Sequence, residues 1–193
     1  FAHLSSDGNL CGLTAYADTE FVLEENGQSK TIFHKQNQVI LDMSFITPGQ
    51  VRNLCGKRRF TLAHECAHQI LYQMQSEDGK TSCRKKYAAH TAYSLRDLKT
   101  KEDWNEWQAN EIGAAILMPQ EQIDLAMWYF AVSNKLKNYG GYFNYKDRMV
   151  LKMICQAFGV SKSAAIIRLK EHDYMEEQAN SDYRDPLEVW NEE

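Results

Sequence analysis

The first 45 residues alternate in the manner of strands. Glu20-Phe-Val-Leu-Glu24 and Thr31-Ile-Phe-His34 are rich in β-branched and aromatic residues, and Glu25-Asn-Gly-Gln28 between them is a turn signal. Gln38-Val-Ile-Leu-Asp42 reads as a third strand, and Pro48-Gly49 breaks the pattern. From about Lys57 the period changes. Phe60, Ala63, Ala67, Ile70, Leu71 and Met74 recur at helical spacing, which predicts an amphipathic helix of about 17 residues. Residues 75–102 are polar and charged and read as an irregular excursion. A second helix is predicted from about Asp103 to Leu117, stopping before Pro119. A third starts near Pro119, carries Ile123, Ala126, Met127 and Phe130, and is expected to run until Gly140-Gly141. Two shorter helices, about 146–158 and 162–172, flank Gly159-Val160-Ser161. The expected fold class is α+β: a small N-terminal sheet, one long helix beside it, and a C-terminal helical segment. The expected organisation is a core over 1–120, a helix-turn-helix-like cap of the same domain over 121–174, and an acidic tail over 175–193.

Composition narrows the picture. The 193 residues are 44% hydrophobic and 25% charged, ordinary for a globular chain. The net charge of −4 excludes a generally basic nucleic-acid coat. Residues 175–193 hold seven acidic side chains and one basic one, so this tail outweighs the whole net charge and leaves the rest near +2; it is read as a loosely held extension. Five cysteines (Cys11, Cys55, Cys66, Cys83 and Cys155) form no CxxC pair, which argues for a reducing, cytoplasmic setting. No apolar run approaches the roughly 20 residues that span a bilayer. No signal peptide is legible, and because the chain opens on Phe1 rather than Met, a segment upstream is allowed for.

The chemistry concentrates in Arg59-Phe-Thr-Leu-Ala-His64-Glu65-Cys66-Ala67-His68, an HExxH sequence inside a helical pattern. Residues four apart share one helical face, so His64 and His68 can aim ring nitrogens at one ion. Zinc accepts such nitrogens at about 2.0–2.1 Å. Glu65, displaced around the helix, is placed to take a proton from a water beside the ion. A catalytic zinc needs a third protein ligand and an open position. Position 74 is Met74, so a third histidine six residues on is absent. His90 is one alternative. Glu106 on the second helix is the stronger one, with Asn110 a turn beyond it to orient a ligand imidazole. Glu111 competes, but it points roughly 100° away from Asn110. The plain alternative for Glu106 is a solvated surface carboxylate.

These residues resemble the ImmA/IrrE family of zinc metallopeptidases. The resemblance lies in Arg59 to His68, then Glu106-Trp-Gln-Ala-Asn110 with Ala114-Ala-Ile-Leu-Met-Pro119, and then Phe158-Gly-Val-Ser161 with Ala165, Arg168 and Leu169. It implies a zincin-like, thermolysin-like topology, one catalytic zinc ion held by His64, His68 and Glu106, and Glu65 as the base. It also implies a bacterial anti-repressor that cleaves a helix-turn-helix transcriptional repressor of a mobile element or stress response. Cys66-Ala67 stands where the family has Leu-Gly, and Ile112-Gly113 where it has Phe-Ala. Cys66 itself is read as a small buried side chain.

An oxyanion donor is also required. Tyr72, His90, Tyr93 and Arg168 are the candidates, each with ordinary packing as its plain alternative. Val39-Ile40-Leu41 is read either as a cleft edge or as plain core. Two other functions compete. Ser161 to Lys170 has the outline of a recognition helix, but Lys162, Arg168 and Lys170 are few and acidic residues follow at once, so direct nucleic-acid binding is not expected. A zinc-binding partner that sequesters a regulator without cutting it is the other. No membrane partner is expected, and the oligomeric state is open.

Overall fold

The structure is a computed structural model that describes residues 1–4, 10–25, 28–75 and 99–184. His90, Tyr93, Cys83 and the basic Arg84-Lys85-Lys86 of the predicted excursion lie outside the described residues. The chain forms two compact units, Phe1–Ile116 and Leu117 onward.

In the first unit, β2 (Thr19–Glu25) and β3 (Gln28–His34) pair antiparallel from Thr19 opposite His34 to Glu25 opposite Gln28. β1 (Gly12–Thr14) pairs antiparallel with β4 (Val39–Leu41). The expected single small sheet is therefore two separate two-stranded sheets among the described residues. β1 went unpredicted, since three residues with a glycine among them carry almost no periodic signal. The Val39–Leu41 segment is core rather than cleft edge. Ile40 and Leu41 are buried, β1 covers one edge of the strand, and Ala2 bridges the other through its N–H to Leu41 O at 3.1 Å. Asp42 then caps a short 3-10 helix, Met43–Ile46, by accepting from Ser44 N–H.

Helix α1 (Cys55–Gln73) packs on β1 and β4, two residues longer at its start than its periodicity indicated. Helix α2 (Lys101–Leu117) opens on a reciprocal capping box. Thr100 N–H donates to the Asp103 carboxylate at 2.8 Å, and Asp103 N–H donates to Thr100 Oγ1 at 3.1 Å.

The second unit contains α3 (Gln120–Ala131), β5 (Leu136–Asn138), α4 (Tyr145–Phe158), α5 (Lys162–Glu171) and β6 (Met175–Glu177). Helix α3 ends at Val132, in left-handed conformation, well before Gly140-Gly141. β5 fills the interval and pairs parallel with β6. Parallel strands need a long crossover, and α4 with α5 supplies it. Asn144 and Ser161 cap the two helices by accepting from Asp147 N–H and Ala164 N–H, and Gly159, at φ 63°, turns the chain between them. Ile123 and Met127 of α3, Leu151 and Ile154 of α4, and Leu169 of α5 are buried together as this unit's core. The sequence predicts a loose tail from residue 175, and residues 175–177 depart from that. They are strand, with Met175 buried, because the crossover brings them beside β5.

The fold is thus mixed helix and small sheets, of the α+β class. Among the described residues no single helix is long and apolar enough to cross a membrane.

Candidate metal centre

Helix α1 buries one polar face. His64, Glu65 and His68 are 5%, 1% and 4% exposed, values unusual for such residues unless they are paired or ligate a metal. Glu106 on α2 is buried beside them. The His64 Nε2 and His68 Nε2 atoms lie 3.0 Å apart. Glu106 spans both, with Oε2 at 3.4 Å from His64 Nε2 and Oε1 at 3.4 Å from His68 Nε2. The ligand-capable atoms of all three lie within 4.8 Å of one another.

Two nitrogens bound at about 2.0–2.1 Å to one tetrahedral ion sit roughly 3.3 Å apart. The observed spacing fits a single small cation. The chemistry fits as well: three lone-pair donors converge in a buried volume, an arrangement that a divalent ion relieves. Glu111, the competing carboxylate, is not in the group.

The helices can approach because α2 has no side chain at the crossing. A Cβ on Gly113 would stand 3.1 Å from His64 N and 3.2 Å from its Cα. Asn110, a turn beyond Glu106, is half-buried. The buried Nδ1 of His64 has no hydrogen-bond partner among the described residues. Glu65 faces a different neighbour, β1, about 100° around the helix from His64.

The other predicted residues are distributed unevenly. Tyr72, one turn past His68, stacks flat on Tyr16 with centroids 4.2 Å apart and planes 3° from parallel. Arg168 belongs to the second unit and is buried there. Its Nε donates to Met118 O at 3.2 Å and its Nη1 pairs with Glu171 at 3.0 Å, so its guanidinium is committed to holding α5. Cys66, expected to be buried, is exposed, because its position on α1 faces away from the β1–β4 sheet. Partial burial, and then the neighbouring Glu65 carboxylate, push its thiol above the ordinary value, away from a reactive thiolate. Cys11, Cys55, Cys66 and Cys155 are all free thiols. Sequence reasoning missed Gly12 and Gln69. Gln69 Nε2 donates to Thr14 Oγ1 and, at 2.9 Å, to Ala15 O, tying α1 to the end of β1. The one available signal was a glycine inside a short apolar run, which marks close backbone approach.

An HExxH helix joined by a carboxylate from a second helix defines a metallopeptidase type of centre. Residues 55–170, more than half of the chain and all of the centre, match the family model described as IrrE N-terminal-like domain, peptidase M78. The chain belongs to this peptidase family. Comparison with curated proteins returned no match.

Proposed function

We propose that this protein is a zinc-dependent metallo-endopeptidase, with His64, His68 and Glu106 holding the ion in a thermolysin-like core. The observation that carries the reading is the convergence of those three buried side chains from α1 and α2, with Glu65 next in sequence to a ligand. A zinc ion held there supplies Lewis acidity to the scissile carbonyl and to the attacking water. The Glu65 carboxylate accepts a proton from that water and delivers it to the leaving amine nitrogen. General acid–base help of this kind contributes about 10²–10⁴ in rate. Burial of the site strengthens each of these electrostatic effects.

The substrate proposed is a helix-turn-helix transcriptional repressor, a reading supported by family membership alone. The setting proposed is a reducing one, on the ground of the four free thiols. A recognition-helix role for α5 draws no support from Arg168, which is buried against Met118 and Glu171.

Glu65→Gln tests the base. The variant is expected to retain one zinc per chain by elemental analysis and to lose the hydrolysis of a helix-turn-helix repressor substrate that the wild type performs, followed by mass spectrometry. Retained cleavage would refute the assignment. Glu106→Ala is expected to lose stoichiometric zinc; full occupancy would point to another third ligand.

A further inference from the structure

Three consecutive contacts run β1 and its continuation along α1. Gly12 lies against Thr61 and Glu65, Thr14 and Ala15 receive Gln69, and Tyr16 stacks on Tyr72. Each contact lies about one helical turn past the last. At the first of them the space is smallest. A Cβ built on Gly12 would stand 2.7 Å from Thr61 Cγ2, 2.8 Å from Glu65 Cγ and 2.8 Å from Glu65 Oε1. Ordinary carbon contacts are about 3.5–4.0 Å.

Gly12 does not adopt a positive φ, so alanine suits its backbone. What the position excludes is volume beside a carboxylate. The strand has no easy retreat, because Gln69 holds it one turn along, the tyrosine stack holds it the next, and β4 holds it from the other side. Glu65 has no easy escape either, being 1% exposed.

We propose that Gly12 is a positioning residue for Glu65: the missing side chain leaves the room that the carboxylate occupies against β1, one residue on from the ligand His64. The inference rests on the base assignment proposed above. Misplacing a catalytic group by about 1 Å costs on the order of 10² in rate.

The test uses the full chain loaded with one equivalent of Zn²⁺ and an internally quenched random-peptide mixture. Gly12→Ala is expected to keep zinc stoichiometry, to leave KM within about twofold, and to lower kcat about 10–100-fold. The same change in a Glu65→Asp background, where the carboxylate is withdrawn by one methylene, is expected to lower kcat less than about threefold. Equal losses in both backgrounds, or an unchanged kcat in Gly12→Ala, would overturn the proposal. Should Gly12→Ala not fold, Gly12→Ala with Thr61→Ser removes the methyl clash and retains the Glu65 contact. Recovery of wild-type kcat there would assign the effect to Thr61 instead. If the wild type and Glu65→Gln act alike on the mixture, the peptidase reading fails for this probe. Acetohydroxamate binding to the zinc-loaded protein, read by calorimetry, then decides the role of Gly12. Gly12→Ala is expected to weaken binding about tenfold, and to add nothing in the Glu65→Gln background. Unchanged or fully additive binding would overturn the inference.

Discussion

His64, Glu65, His68 and Glu106 are buried together at a desolvation cost that apolar residues of similar size would avoid. A fold that tolerates such a cluster needs strong anchoring around it, and Asp42 is one such anchor. Its Oδ2 accepts from Leu4 N–H at 3.0 Å and its Oδ1 from Ser44 N–H at 2.9 Å. Burial by itself pushes the Asp42 carboxyl up, but these hydrogen bonds, with the charge of His3, outweigh it and hold the group below its ordinary value. A depressed folded value means that the contribution is complete above the unfolded value of 3.8 and is lost as pH falls through the folded one. Asp42→Asn is therefore expected to lower stability by about 1 kcal/mol at pH 7 and by less below pH ~3.8, as caps of this type do. Chemical denaturation at a series of pH values checks it. An equal loss at pH 7 and pH 3 would show that the carboxylate charge is not what matters.

At the level of elements, the candidate metal site is a crossing of two helices. Gly113 makes the crossing, and the atoms that a Cβ would meet are backbone atoms of His64 and Ala63, which cannot rotate away. Alanine in a helix is favoured over glycine by about 1 kcal/mol. Overpacking against a rigid neighbour costs about 1–3 kcal/mol. The second effect is the larger here, so Gly113→Ala is expected to lower the thermal midpoint by a few degrees and to weaken zinc binding in a competition assay with a colorimetric chelator. A variant that is more stable and binds zinc as well as wild type would show that α1 and α2 can separate at no cost. The start of α2 has its own determinant, the Thr100–Asp103 box, and Thr100→Ala is expected to cost about 0.5–2 kcal/mol by the same denaturation measurement.

For the whole molecule, the three proposed ligands all belong to the first unit, whereas the largest apolar core among the described residues belongs to the second. Zinc binding stabilises what it binds by mass action, about 2.7 kcal/mol when free ion is a hundredfold above Kd. Zinc is accordingly expected to slow amide exchange across α1 and α2 and to leave α4 and α5 unchanged. Leu151→Ala, in the second core, is expected to cost about 2–5 kcal/mol there while zinc stoichiometry stays at one. Exchange measured by mass spectrometry with and without zinc tests both statements. Equal protection of α4 would show that the units respond as one.

Some of this was legible in the chain because it is local. α1 and α3 follow from apolar residues at helical spacing, α2 from its stop before Pro119 and the last two helices from the Gly159-Val160-Ser161 break between them, and His64 and His68 meet because a single helix places residues four apart on one face. Both would hold for an isolated segment of this sequence. The choice of Glu106 over Glu111 was not legible in that sense. It depends on how closely two helices separated by a long excursion approach, and a glycine at their crossing sets that distance. The same reason hid β1, whose three residues mean little until α1 lies against them, and β6, which exists only because the crossover returns the chain to β5. It also hid the fate of Arg168, a candidate oxyanion donor by residue type and a buried tie to Met118 by packing. Sequence spacing determined which groups share an element, and long-range packing alone decided which elements meet, since contact across the fold has no period along the chain.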